Sequence, residues 1–84
     1  MTRLLLPAEK IAVFCAEDGT PASFTWRGRK YTVLEAVDRW RADTEWWRAR
    51  QHREYYKLVT GDGLLLVIYH DLSREGWYVQ RIFD

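Results

Sequence analysis

The chain has 84 residues and a formal net charge of +1, which fits one small domain and by itself does not favour a nucleic-acid partner. Cys15 is the single cysteine, so an intrachain disulfide is excluded, as is typical of proteins from a reducing cytoplasm. No apolar run approaches the roughly 20 residues of a transmembrane helix, and the N-terminal leucines are too few for a signal peptide. We therefore expect one cytoplasmic domain over residues 1–84.

Aromatic side chains are frequent for a chain of this length: five Trp, five Tyr and three Phe. A small domain buries a modest fraction of its surface, and each aromatic side chain buries roughly 150–250 Å². We therefore expect aromatic residues to form most of the core.

The first two strands are predicted from short runs of strand-forming residues between turn signals. Lys10–Ala16 is an apolar run that we interpret as the first strand, with Cys15 as a buried small side chain. Ala22–Arg27 alternates between apolar and polar residues and places Trp26 on the core face. A tight turn at Gly28 follows.

The next predicted strand, Tyr31–Trp40, changes its apolar phase along its length. Val33 and Val37 share one parity, whereas Leu34 and Trp40 share the other. A strand cannot exchange its faces without a bulge or a bend. Strong bending of this kind is what a small barrel needs at a corner.

The segment Asp43–Arg53 has no clear period. Asp43 or Thr44 is a suitable N-cap for a single helical turn. Trp46 and Trp47, among polar residues, are equally typical of an ordered loop over the end of a barrel. Helix and loop therefore both stay open for this segment.

Three further strands are predicted at Glu54–Thr60, Leu64–His70 and Trp77–Phe83. The second of these begins with a run that is apolar on both faces, so we expect a central strand covered on both sides. Trp77 is expected in the core. Without a long amphipathic helix to cover a flat sheet, these elements predict an all-β fold. We expect a strongly bent antiparallel sheet of about six strands that forms a small, open SH3-like barrel.

Catalytic and metal-binding motifs are weak in this sequence. His52 and His70 have no Cys or His partner at the spacing of metal ligands. Asp71 could orient the His70 imidazole, but no nucleophile elbow or glycine-rich phosphate loop accompanies them. We therefore expect no enzymatic activity, no metal site and no cofactor.

Two basic segments are candidate binding sites. Arg27, Arg29 and Lys30 surround the predicted tight turn, which predicts exposed cations. They are suited to a phosphate or acidic-partner contact, but a solvated turn whose charges keep strand edges apart explains them equally well. The second candidate is a partner-binding anchor made of tryptophans and arginines: Trp46, Trp47, Arg48, Arg50 and Arg53. Its alternative is that both tryptophans are buried lids over the barrel.

The order of the aromatic and basic motifs is distinctive. The set comprises Phe24–Val33, Trp40-Arg41, Glu45–Arg48, Arg53–Tyr56, Tyr69, Asp71, Trp77-Tyr78 and Ile82-Phe83. Over residues 22–84 it resembles a family of small uncharacterised bacterial proteins. It also resembles the C-terminal segment of the inactive Y-family polymerase-like proteins of the bacterial mutasome.

The resemblance implies an adaptor. The mutasome proteins lack catalytic residues and act between a polymerase, its partner and the DNA clamp. By analogy we expect a non-catalytic interaction module linked to DNA-damage tolerance, with protein partners that include mutasome components. The residues leave two alternatives: a small barrel that binds single-stranded nucleic acid, and a small-ligand or enzyme site in the barrel mouth. A homodimer through exposed aromatics or an unpaired edge strand also stays open.

Overall fold

The computed structural model describes residues 2–46, 49–72 and 75–83, and every regular element in these ranges is a β-strand. In chain order the strands are β1 (Thr2–Cys15), β2 (Pro21–Trp26), β3 (Arg29–Trp46), β4 (Ala49–Thr60), β5 (Leu65–Asp71) and β6 (Gly76–Phe83). The all-β prediction is therefore confirmed. No helix in the described ranges is long and apolar enough to cross a membrane.

The six strands form a closed antiparallel barrel, since each strand pairs with the next and β6 returns to β1. The predicted open, SH3-like form is not confirmed. The length of β1 explains the difference, because this strand begins at Thr2 rather than Lys10 and serves two neighbours. Its residues 2–4 and 9–11 pair with β6, whereas residues 12–15 pair with β2. Pro7, which cannot donate a ladder hydrogen bond, lies between the two segments that pair with β6.

The predicted change of phase in β3 is confirmed as two register shifts against β4. One lies between Val33 and Glu35, and the other between Ala36 and Asp38. Each shift leaves one residue without a cross-strand partner in β4. The first of these, Leu34, is 71% exposed. Bulges of this kind bend a strand and increase its twist, which lets β3 turn from β2 to β4.

The prediction of a helix or loop at residues 43–53 is wrong. The described residues of this segment extend β3 and β4 into a long hairpin, in which Trp46 is the register partner of Ala49. The register also pairs Glu45 with Arg50 and Arg41 with Glu54, so opposite charges share cross-strand positions. These residues lack apolar alternation, which explains why no strand is predicted from the sequence.

The core consists of nine buried side chains among the described residues: Ile11, Phe24, Trp26, Tyr56, Leu58, Leu66, Ile68, Val79 and Ile82. Aliphatic residues are the majority, so the prediction of a mainly aromatic core is wrong for this part of the chain. Trp26 is buried as predicted, and Trp77 is half-buried and packs against the core. The prediction for β5 is confirmed, because its residues 66–69 are all buried.

The predicted burial of Cys15 is wrong, because the residue is exposed. It ends β1, next to a register shift between Phe14 and Cys15 in the pairing with β2. The shift interrupts the alternation on which the prediction depended, and Phe14 is exposed as well.

Candidate functional site

Four aromatic residues form one row across the outside of the barrel. Trp40 of β3, Tyr55 of β4, Tyr69 of β5 and Tyr78 of β6 are successive register partners. Tyr56 belongs to the core, so strand alternation turns its neighbour Tyr55 and the rest of the row outward. The four rings are called the aromatic face below.

The rings of the aromatic face contact one another in series. The ring centroids of Trp40 and Tyr55 lie 5.3 Å apart, and their planes are parallel within 2°. The Tyr55–Tyr69 distance is 5.4 Å and the Tyr69–Tyr78 distance is 5.3 Å. Tyr69 is buried in the middle of the row, whereas Trp40 at its end is 41% exposed. The Trp40–Tyr55 and Tyr69–Tyr78 pairs are stacked, whereas the Tyr55 and Tyr69 planes are tilted by 44°. Stacked rings cover part of one another's faces.

An open groove with a volume of about 460 Å³ lies beside the aromatic face. It is lined by residues of four strands: Asp38, Trp40, Tyr55, Lys57, Val67, Gln80, Arg81 and Phe83. The Lys57 ammonium lies 5.1 Å from the centroid of the Phe83 ring. The groove therefore combines an aromatic wall with two cations and one carboxylate.

Arg53 contacts two rings of the aromatic face. Its guanidinium lies 4.6 Å from the centroid of the Tyr69 ring, and Nη1 donates to the Tyr55 hydroxyl at 3.4 Å. The hydrogen bond to Tyr55 is the main cause that raises the pKa of Arg53. Its Nε is buried without a hydrogen-bond partner, which costs stability unless a bound group accepts from it.

The remaining residues of the predicted tryptophan–arginine anchor lie outside what the structure describes in full. Trp47 and Arg48 are outside the described residues, and the side chains of Trp46 and Arg50 are outside them as well. The backbones of Trp46 and Arg50 belong to the β3–β4 hairpin. The anchor therefore stays a prediction.

The predicted exposure of the Arg27–Lys30 turn is confirmed. Arg27 and Gly28 have φ angles of 53° and 76°, as a tight turn of the hairpin type requires. Arg27 binds Glu9 through two hydrogen bonds of 2.6 and 3.0 Å, and the Trp26 indole donates to the same carboxylate at 3.0 Å. These bonds, led by those from Arg27, lower the pKa of Glu9.

The second arginine of the turn also has an acidic partner within the chain. Arg29 binds Asp62 at 3.0 Å, and its guanidinium lies 5.1 Å from the centroid of the Tyr31 ring. Two of the three predicted phosphate contacts thus connect the turn to β1 and to the β4–β5 turn. This geometry favours the structural interpretation of the basic turn over the phosphate-binding one.

Glu54 is the centre of an ionic cluster that the sequence does not predict. It accepts hydrogen bonds from the Tyr56 hydroxyl at 2.8 Å and from Arg41 at 2.6 Å, and Arg39 lies at 3.4 Å. These partners, with Arg41 first, lower the pKa of Glu54. Burial and then the bond to Glu54 raise the pKa of Tyr56 to about 12. The sequence contains two alternating patterns, Arg39-x-Arg41 and Glu54-x-Tyr56. They indicate a cluster only when the hairpin register that places them opposite each other is known.

The family described as a domain of unknown function (DUF6504) matches residues 5–84. The chain belongs to the DUF6504 family. The resemblance described from the sequence covers residues 22–84. The family match begins earlier, at residue 5, and includes most of β1. Comparison of the chain with curated proteins and with solved structures finds no significant match. Since nothing found connects the DUF6504 domain with mutasome proteins, that part of the resemblance stays a prediction.

The histidines and the cysteine of this DUF6504 domain do not form a metal site in the described ranges, where no group of three or more His, Cys, Asp or Glu side chains is placed to hold an ion. The His70 ring stacks on Trp77 with a centroid distance of 4.3 Å. Asp71, the next residue in β5, alternates to the opposite face and is the register partner of Arg53. Asp71 is thus not placed to orient the His70 imidazole.

Proposed function

We propose that this domain is a non-catalytic interaction module and that a protein partner docks on the aromatic face and its groove. The observation that carries the proposal is the exposed Trp40 ring at the edge of an open groove. Tryptophan is among the residues that most often dominate the binding energy of protein interfaces. The two alternatives are single-stranded nucleic acid and a small ligand in the barrel mouth.

The orientation of Trp40 supports a docking role. Its ring is held parallel to Tyr55, which is itself in contact with Tyr69. A ring that is already ordered loses little conformational entropy when a partner covers it. An exposed aromatic residue that is preorganised in this way is suited to anchor a complex.

The charges around the groove favour a partner of mixed polarity. Lys57 and Arg81 bring positive charge to the groove, and Asp38 brings negative charge. A polar rim around an aromatic centre is the usual composition of a protein interface. We therefore expect a partner with an apolar side chain for the groove and at least one carboxylate for Lys57 or Arg81.

A photo-crosslinking experiment tests this proposal. Benzoylphenylalanine replaces Trp40 in one full-length variant and Phe14 in a control, because Phe14 is an exposed aromatic residue of β1 that does not line the groove. In cells of the source organism we expect one defined protein adduct from position 40 that disappears in the Lys57→Glu/Arg81→Glu background. Equal adducts from positions 40 and 14 would contradict a specific site.

Single-stranded nucleic acid is the second candidate, because Lys57 and Arg81 share the groove with Trp40. A base could stack on the exposed part of Trp40, and the cations could contact phosphates. Tyr69 is buried and Tyr55 is half-buried, which disfavours a run of stacked bases, so we rank this candidate below a protein partner.

Fluorescence anisotropy with a labelled single-stranded oligonucleotide distinguishes the two candidates. Affinity that falls steeply with salt and is lost in Trp40→Ala, but not in Phe14→Ala, supports nucleic acid. The absence of binding at low salt eliminates this candidate and leaves the protein partner.

The alternative of a ligand in the barrel mouth has an open groove of about 370 Å³ beside Trp26, Leu64 and Ile82, which does not extend into the filled interior. Side chains such as Phe24, Leu58 and Ile68 are fully buried there, so we place no ligand inside. The link to DNA-damage tolerance rests only on the resemblance to mutasome proteins. A deletion strain tests it directly: unchanged survival and mutation frequency after ultraviolet irradiation would remove that link while leaving the docking face in place.

A further inference from the structure

The long strand β3 has one edge without a strand partner over much of its length. It pairs with β2 only through residues 29–32, while its pairing with β4 continues to Trp46. From Asp38 to Trp46 the β4 ladder has no register shift, so this part of β3 is regular. In the described ranges no strand covers its other edge. Such an edge is a template on which a further strand can form hydrogen bonds.

The orientation of the backbone along this edge follows from Arg39. Its N–H donates to the Asp38 carboxylate at 2.8 Å, so it is directed to a side chain and away from the β4 ladder. Alternate residues of a strand direct their backbone groups to opposite edges. The odd-numbered positions 39, 41, 43 and 45 therefore face the free edge, and a pairing strand must meet these four.

The residue types at these four positions are self-complementary. Arg39 and Arg41 precede Ala42, and Asp43 and Glu45 follow it. When the same edge of a second chain runs antiparallel about a twofold axis at Ala42, position 39 is opposite position 45 and position 41 is opposite position 43. Every arginine position of one copy then lies opposite an acidic position of the other copy, and the twofold axis repeats each of these pairs.

No neighbouring register has this property. With the axis at Arg41, the two Arg41 positions are opposite each other, and with the axis at Asp43 the two Asp43 positions are opposite each other. Like charges at directly opposite positions destabilise a strand pair. The charge pattern therefore selects the Ala42 axis among the registers that the backbone orientation allows.

We propose that the chain forms a twofold-symmetric dimer in which the β3 edges of two copies pair antiparallel about Ala42. Backbone hydrogen bonds hold the two barrels together, and the alternating charges set the register. The contacts of the two arginines with Glu54 are compatible with this arrangement, because the side chains of Arg39 and Arg41 remain 57% and 59% exposed. A guanidinium carries five N–H donors and can serve two carboxylates.

The dimer goes beyond the proposed docking function and does not depend on it. It places the two Trp40 residues on either side of the axis, four strand positions apart, or about 13 Å along the pair at roughly 3.3 Å per residue. Two aromatic faces would then lie close enough to bind two sites of one partner.

The test uses two full-length variants with uniformly charged edges. Arg39→Glu/Arg41→Glu makes all four positions acidic, and Asp43→Arg/Glu45→Arg makes them all basic. Sedimentation equilibrium should show a wild-type dimer and, for each variant alone, self-association weakened by about tenfold or more. An equimolar mixture of the two variants should form a heterodimer at least as stable as the wild-type dimer, because every opposed pair is again complementary.

The mixture keeps the test informative even when one variant is less stable, since heterodimer formation requires both to be folded and complementary. Circular dichroism verifies the fold of each variant. A wild-type chain that stays monomeric at its highest soluble concentration overturns the proposal. So does a pair of folded variants that each dimerise like wild type, or a mixture of the two folded variants that fails to associate.

Discussion

At the scale of single residues, Glu54 shows how a charge is stabilised in this barrel. Its side chain is only 15% exposed and carries bonds from Tyr56 and Arg41. Removing an ionised acceptor from such a cluster leaves its donors partly unsatisfied, which costs more than the bonds themselves contribute. Protonation of Glu54 should therefore lower the stability of the fold.

We expect Glu54→Gln to lower the free energy of unfolding by roughly 1–3 kcal/mol at neutral pH. The folded state holds the pKa of Glu54 below its ordinary value of 4.5, so this contribution is present above that value. It is lost as the pH falls through the lowered folded-state pKa. Urea titrations at several pH values should show the wild-type advantage shrinking on acidification.

The control for Glu54 is Glu35→Gln, which changes an exposed glutamate on β3. It should alter the free energy of unfolding by less than about 0.5 kcal/mol. An equal loss in both variants, or a Glu54→Gln loss that is unchanged at low pH, would show that the cluster does not stabilise the fold as described.

At the scale of elements, β3 and β5 show how neighbours decide what a strand buries. β5 is paired on both sides, with β4 and β6, and its residues 66–69 are buried on both faces. β3 has two bulges and one long unpaired edge in the described ranges, and Leu34 at the first bulge is exposed. The same residue type therefore has very different energetic importance in the two strands.

We expect Ile68→Ala in β5 to lower the free energy of unfolding by about 2–5 kcal/mol, because it leaves a cavity in the filled core. Leu34→Ala shortens an exposed side chain of the same size class, so it should change the free energy of unfolding by less than about 0.5 kcal/mol. Denaturant unfolding of both variants checks this. A small loss for Ile68→Ala would mean that the barrel interior can collapse around the deletion.

The sequence predicts β5 well and β3 only in part. The apolar run in β5 covers both faces, a local signal that needs no knowledge of its neighbours. The bulges of β3 were also visible, because the apolar parity changes within Tyr31–Trp40. The extension of β3 to Trp46 was missed, because its residues gain strand structure from pairing with β4 rather than from an apolar face.

At the scale of the whole molecule, the β1–β6 seam closes the barrel. The seam pairs the first strand with the last, and it places Lys10 opposite Tyr78 and Ile11 opposite Trp77. Closure satisfies the backbone groups of β6 on both of its sides. An open sheet would leave every second N–H of β6 free to exchange with solvent.

Hydrogen exchange of the β6 amides measures closure directly. We expect consecutive residues from Trp77 to Val79 to exchange slowly, with protection approaching the global stability. The exposed turn at Gly28 should exchange rapidly and serves as the internal reference. An alternating pattern of slow and fast amides along β6 would indicate an open edge and contradict the closed barrel.

The sequence by itself determined the all-β class, the core position of Trp26 and the two-sided burial of β5, because these depend on the residue pattern within a single segment. Only the tertiary structure decided the closure through β1, the aromatic face and the ionic cluster at Glu54. Trp40, Tyr55, Tyr69 and Tyr78 come from four strands, and their alignment depends on three separate registers. Register between strands is set by bulges, turns and closure together, so no local pattern contains it.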